Sequence, residues 1–96
     1  MITHIVCWKY RSGTMPEQRA EHIAALKRLP SEIPDIESLS VGADMMHLNR
    51  SFDTGLVGVF ANRAALDHYS KHPEHLKVVE LGKDITETII SVDFEN

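Results

Sequence analysis

The sequence predicts an α+β fold of the ferredoxin-like type, in which a βαββαβ chain builds a four-stranded antiparallel sheet with both helices on one face. The order strand, helix, strand occurs twice, once on each side of a long central loop. The strands alternate with a period of two or form short apolar runs, whereas the helices carry apolar residues at helical spacing. The 96 residues are enough for a single domain, residues 1–96, with one modest core.

The first predicted strand covers residues 2–10, ITHIVCWKY, and alternates between two sides. One side carries Ile2, His4, Val6, Trp8 and Tyr10. Ile5 and Cys7 point the other way, so both faces are partly apolar and both are expected to be covered. Residues 11–13 form the turn that follows.

The first predicted helix begins with the signature of a capping box. Thr14 caps it, Glu17 returns the hydrogen bond, and Pro16 lies in the first turn, where a missing N–H costs little. Its expected buried stripe is Ala20, Ile23, Leu26 and Leu29. Pro30 and Pro34 are expected to end the helix.

The middle of the chain holds two predicted strands separated by a loop. The first runs from Ile36 to Val41, and residues 44–54 have no clear period and form the loop. GLVGVF, residues 55–60, is a short apolar run and is interpreted as a central strand buried on both faces.

The second helical region is predicted to be broken in two. Asn62 caps a helix that runs to about Tyr69, and His72-Pro73 interrupts it. A further turn or two follows until Gly82 stops it, and residues 85–94 form the last strand. The residues of the first segment that face inward are Ala65, Leu66 and Tyr69.

The sheet carries more apolar residues than one layer of helices can hide. The surplus is expected on the uncovered face and consists of Ile5, Cys7, Leu39, Val41 and Ile89. A large exposed apolar surface marks an interface, and two-fold symmetry is the commonest arrangement. The sequence therefore predicts a homodimer whose two sheets pack face to face.

The composition excludes several classes of protein. A formal net charge of -4 disfavours nucleic-acid binding, and the longest apolar runs are too short for a membrane span. The N-terminus alternates and does not form a signal-peptide core, so a cytoplasmic protein is expected. No phosphate-binding glycine motif is present, and no cofactor is expected.

DHYSKHPEH, residues 67–75, concentrates three of the six histidines and one of the two tyrosines. An imidazole can accept an acidic α-proton near neutral pH, and a phenol can donate a hydrogen bond to a developing oxyanion. A structural interpretation stays open, in which His72 caps the helix after Pro73 and Tyr69 is an inward residue of an apolar stripe. A metal site formed by His68, His72 and His75 is disfavoured, because Pro73 breaks the helix and no other ligand completes it. His22 and His47 are expected to face solvent.

The sequence resembles the stress-responsive A/B barrel domain family. Five segments carry the resemblance, in this order: HIVCWKY, LPSEIPDIESLSVGAD, GLVGVF, ALDHYSKHPEH and SVDFE. The resemblance covers nearly the whole chain, and its most specific parts are the leading His-Ile-Val and the Tyr-x-x-His-Pro-x-His run. It implies a dimeric α/β barrel of ferredoxin-like protomers. Most members have no assigned activity and are associated with stress responses.

A minority of the family is similar to polyketide cyclases, which close a ring by intramolecular aldol condensation without a cofactor. Carried over by position, their reacting groups fall on His4, Tyr69 and His75, while His72 corresponds to a structural histidine. In that interpretation the pocket walls are Val6, Trp8 and Leu66, and the substrate is a keto-acyl or aromatic metabolite. The alternative is a non-catalytic, stress-associated homodimer or a protein that binds a small apolar ligand.

Overall fold

The computed structural model describes all 96 residues and has the predicted ferredoxin-like architecture. In chain order the elements are β1 Ile2–Tyr10, α1 Pro16–Glu32, β2 Ile36–Ala43, β3 Thr54–Phe60, α2 Arg63–Lys71, α3 Pro73–Lys83 and β4 Thr86–Glu95. The strands form a single sheet in the order β2-β3-β1-β4, with every neighbouring pair antiparallel. No helix is long and apolar enough to cross a membrane.

The helices cover only part of the inner sheet face. The alternation predicted for β1 is confirmed, since Ile2, Val6, Trp8 and Tyr10 are buried beneath the helices. Leu29, Ile33 and Phe60 are completely buried and form the centre of the core. All residues of β4 except Thr86 are exposed, although alternate ones lie on the helix side of the sheet. The helical layer therefore stops short of β4 and leaves a gap at that edge.

The ends of α1 differ from the sequence prediction. The N-cap is Met15, whose N–H donates to the side chain of Gln18 at 2.8 Å, while the Thr14 hydroxyl donates to a turn carbonyl. Pro30 lies inside the helix, which continues to Glu32. A proline this close to the end removes a single backbone bond, so the final turn can still form before Pro34.

The buried stripe of α1 is displaced from the predicted one. It consists of His22, Ala25, Leu26 and Leu29, whereas Ala20 is exposed and Ile23 is half-buried. The predicted solvent-facing position of His22 is therefore wrong. A helix places residues three, four and seven apart on one face, and His22 stands at those distances from three buried residues.

The register of the sheet corrects the assignment of residues to its open face. Leu39 lies opposite Gly58, Val41 opposite Leu56, and Ile89 opposite Trp8. Residues that face each other across antiparallel strands share a side, so all three lie on the helix side. The register shifts between Ile36 and Ser38, and again at the end of β1, and each shift reverses the alternation expected from the sequence.

The open face is nevertheless apolar. It carries Ile5, Cys7, Val57, Val59, Ile90, Val92 and Phe94. The central position of β3 is confirmed, but its expected burial on both faces is not found within one chain, because Val57 is 42% exposed.

The break between α2 and α3 is confirmed in detail. The side chain of Asn62 accepts a hydrogen bond from the Ala65 N–H at 2.9 Å and caps α2. Nδ1 of His72 accepts from the Glu74 N–H at 3.1 Å and caps α3. Gly82 does not stop α3, which continues to Lys83.

Candidate active site

A cavity of about 250 Å³ lies between the helices and the inner face of the sheet. Its wall is mostly apolar and contains Val6 and Trp8, with Leu26, Leu56, Val78, Val79 and Ile89. Its polar residues are His4, His22, Tyr69, Ser70, His75 and Ser91. Leu66, which was expected in the wall, does not line this cavity and lines a neighbouring cleft instead. No carboxylate, lysine or arginine lines the cavity.

Tyr69 lies near the end of α2 and places its ring between two histidines. The centroid of its ring is 6.0 Å from that of His4 and 4.3 Å from that of His75, and Phe60 packs at 4.8 Å. The residue is 2% exposed, and burial raises its pKa to about 12. Its hydroxyl has no hydrogen-bond partner in the protein, yet it is not sealed within the core. The phenol is therefore neutral and free to donate into the cavity.

His75 lies in the first turn of α3, on the other side of Pro73. Its Nδ1 is 3.1 Å from the carbonyl of Ser70, to which it donates, so Nε2 carries the lone pair. Burial lowers the pKa of His75, opposed by the Ser70 bond and assisted by His4 and His72. The imidazole is thus neutral at pH 7 and able to accept a proton.

His4 reaches the same cavity from β1, and its partner is Asp93 on β4. The two residues face each other across the strands, and Nδ1 of His4 is hydrogen-bonded to the Asp93 carboxylate. This contact orients the ring and leaves Nε2 of His4 free. The structure therefore brings the rings of His4 and His75 close to the ring of Tyr69, and all three residues line the same cavity.

Asp93 was missed by the sequence reasoning. It lies in SVDFE, a segment whose local pattern does not mark it as a site residue. Its role as a partner of His4 depends on the register of β4 against β1. Local periodicity carries no information about that register.

The remaining histidines have separate partners. His72 uses Nδ1 to cap α3. His68 is exposed, with Nδ1 2.6 Å from the carboxylate of Asp35. His47 is exposed in the central loop, as predicted. Because His68 and His72 each have other partners, the run does not converge on a common point.

A closed polar network stands at the far end of the cavity. The Tyr10 hydroxyl is hydrogen-bonded to Nδ1 of His22 and to the Thr54 hydroxyl, each at 2.8 Å. The ring of Trp8 packs edge-on against His22 at 5.1 Å. Burial lowers the pKa of His22, which is 1% exposed. The hydroxyl of Tyr10 has both partners within the protein, unlike that of Tyr69.

Replacement of Gly82 by alanine is expected to destabilise the fold by about 1–3 kcal/mol, measured by urea unfolding. Helix propensity alone predicts the opposite, a gain of about 1 kcal/mol. The added Cβ, however, would lie 3.0 Å from Nε2 of His22. That ring is buried and held by Tyr10, so it has little room to move.

The matched control is the same change in a His22→Ala background, where the space is open. There Gly82→Ala is expected to be neutral or stabilising. A stabilising effect in the wild-type background would show that the contact between α1 and α3 is not tight.

Comparison with known proteins identifies the family to which this arrangement belongs. Residues 2–96 match the family model of the stress responsive A/B barrel domain, Dabb. No curated protein sequence matches the chain at a significant level.

Solved structures with the same fold cover almost the whole chain. A dimeric ferredoxin-like protein of unknown function from Thermobifida fusca has a TM-score of 0.90 and 24% identity, over 99% of this chain and 90% of its own. A dimeric protein of unknown function from Bacteroides fragilis has a TM-score of 0.86 and 26% identity, over 99% and 95%. A hydroxynitrile lyase from Passiflora edulis has a TM-score of 0.86 and 20% identity, over 97% and 90%.

Proposed function

Because the chain belongs to the stress-responsive A/B barrel domain family, whose shared fold does not define an activity, we propose a function from its own cavity. It is a cofactor-independent enzyme of the cyclase, lyase or isomerase type. His75, Tyr69 and His4 supply acid–base chemistry on a small keto-acyl or aromatic carbonyl compound. The observation that carries the proposal is the hydroxyl of Tyr69, which has no hydrogen-bond partner in the protein and opens to the cavity, on a ring that lies close to two imidazoles.

The chemistry begins with removal of a proton next to a carbonyl group. Nε2 of His75 accepts the α-proton, and the C–H electron pair becomes the enolate. Tyr69 donates a hydrogen bond to the oxygen on which charge develops. In a cyclase the enolate carbon then attacks a second carbonyl carbon of the same molecule, and the new alkoxide takes a proton from the imidazolium. The reverse sequence cleaves a carbon–carbon bond, which is the lyase direction.

The position of His4 supports a second role in proton handling. Its ring is held by the hydrogen bond between Nδ1 and the Asp93 carboxylate, which leaves Nε2 without a protein partner. The rings of both histidines lie close to the Tyr69 ring, and all three residues line one cavity, so a small substrate bound at Tyr69 can reach both imidazoles. His4 can therefore orient the substrate oxygen or return a proton to it.

The volume of the cavity limits the substrate. Sites for drug-sized ligands occupy about 300–1,000 Å³, and this cavity of about 250 Å³ is smaller. A short ketone or a single aromatic ring fits this space better than a long poly-keto chain. The lyase direction is also the one that the name of the Passiflora edulis protein with this fold describes.

The second candidate is a binding protein without catalysis, favoured by the apolar wall of the same cavity. The central loop between β2 and β3 does not fill the cavity, because its residues Met45 and Met46 are exposed and do not line the wall. The two candidates differ in one measurable property. An enzyme exchanges the α-protons of a bound ketone such as acetophenone with D₂O, followed by proton NMR, whereas a binding protein does not.

The pH profile of this exchange follows from the two pKa shifts. His75 acts in its neutral form, so the rate is expected to rise with pH through its pKa, which burial places below the ordinary 6.5. Tyr69 acts as a donor and stays protonated until its pKa of about 12. We therefore expect an acid limb with its midpoint below 6.5 and no alkaline limb before the protein unfolds. An acid limb centred above pH 7 would contradict the role of His75.

We also propose that the chain forms a homodimer through the open face of its sheet. The apolar residues on this face continue across three neighbouring strands, from Val57 through the half-buried Ile5 to Val92. Exposed apolar surfaces of this kind mark interfaces. The Thermobifida fusca and Bacteroides fragilis proteins with this fold are dimeric.

A further inference from the structure

The cavity opens toward a second, more polar space. An outer cleft of about 590 Å³ lies beside it, where the helices stop short of β4. His4 and Ser70 line both spaces and stand at their junction. A molecule bound across this junction would therefore have one end in the apolar cavity and the other in this cleft.

The charges of the two spaces are unequal. The inner cavity is lined by no lysine, arginine or carboxylate, so no permanent positive charge there offsets the carboxylate of a ligand. The outer cleft carries three carboxylates, Asp67, Asp93 and Glu95, against the single guanidinium of Arg63. Arg63 is already placed 3.9 Å from Asp67, and Asp93 is paired with His4. The cleft is thus negative on balance, and its one cation already has an acidic neighbour.

We infer that this site selects its ligands by charge and takes carbonyl compounds that are neutral or cationic at the end next to the carbonyl, while it rejects those with a carboxylate there. The inference rests on the proposed function for the carbonyl group itself. The carboxylates of the outer cleft would not by themselves define a ligand. Tyr69 is almost completely buried, and its hydroxyl, which has no protein partner, opens to the cavity and sets where the carbonyl oxygen binds. The carboxylates of the outer cleft then decide which substituent is accepted beside the carbonyl.

Asp67 and Glu95 are the residues expected to set this selectivity. Both line the cleft without lining the cavity, and both are exposed. Charges in such a cleft act over a screening length of about 10 Å at 0.1 M salt. Their effect on an anion is therefore expected to weaken as salt is added.

Three probes that differ only next to the carbonyl test the inference. They are benzoylformate, the neutral phenylpropanedione, and the cation phenacyltrimethylammonium. Trp8 is the one tryptophan of the chain and lines the cavity, so quenching of its fluorescence, corrected for absorbance, reports binding. We expect the neutral and cationic probes to bind at least about fivefold more tightly than benzoylformate at low salt, with a smaller ratio at high salt.

Charge reversal in the cleft provides the decisive comparison. Asp67→Lys and Glu95→Lys are each expected to reduce the ratio between neutral and anionic probe. Glu37→Lys makes the same change of charge on the exposed surface of β2, at the opposite edge of the sheet, and is expected to leave the ratio unchanged.

The outcomes separate this inference from the proposed function. Equal binding of anion and neutral probe, a ratio that neither reversal alters, or no binding of any probe would each overturn it. Selective binding without α-proton exchange would support the charge selection and contradict the proposed enzymatic activity. α-Proton exchange without selective binding would support the proposed enzymatic activity and contradict the inference of charge selection.

Discussion

Replacement of His75 by alanine is expected to lower the rate of α-proton exchange by roughly 10²–10⁴-fold, the usual loss when a general base is removed. The reason is local, because Nε2 of His75 is the free nitrogen of a neutral imidazole beside the Tyr69 ring. Tyr69→Phe is expected to cost less, since it removes the donor and keeps the ring packing. The measurement is exchange of acetophenone protons with D₂O at pH 7.

His68→Ala is the matched control in the same stretch of sequence. His68 is exposed and hydrogen-bonded to Asp35, so its loss is expected to leave the exchange rate almost unchanged. Circular dichroism on each variant separates loss of the base from loss of the fold. If a folded His75→Ala variant kept a rate within a few-fold of the wild type, the histidine run would be a structural corner and His75 would not be the base.

Replacement of Ile5 by aspartate is expected to convert a dimer into monomers at micromolar concentration, measured by sedimentation velocity. Ile5 lies on the open face between Val57 and Val92, and a carboxylate buried there would have no partner. Leaving a polar group unpaired in an apolar interface costs more than about 2 kcal/mol, and a two-fold dimer would contain two such groups.

A second variant and a control keep folding separate from association. Val57→Asp changes a residue that is 42% exposed in the single chain, so it should dissociate the dimer with less loss of stability than Ile5→Asp. Leu76→Asp places the same charge on an exposed apolar residue of α3 and should leave the dimer intact. A wild-type chain that sediments as a monomer would remove the proposal of a dimer.

Local features of the sequence predicted the fold and some of the residues that line the cavity. The order of strands and helices follows from periodicity, and the buried side of β1 follows from strict alternation over residues 2–10. The caps formed by Asn62 and His72 were also predictable, because each bond joins residues only two or three positions apart. The break at Pro73 placed Tyr69 and His75 on two consecutive helices for the same local reason.

Only the tertiary structure decided the features that depend on distant partners. Register shifts in the sheet moved Leu39, Val41 and Ile89 to the helix side, and a shift is set by pairing between strands. His22 is buried because a hydroxyl from another element, that of Tyr10, satisfies it. Asp93 holds His4 across 89 positions of the chain. Periodicity reports which residues of one element share a face, but the partner that meets that face is determined by packing between elements.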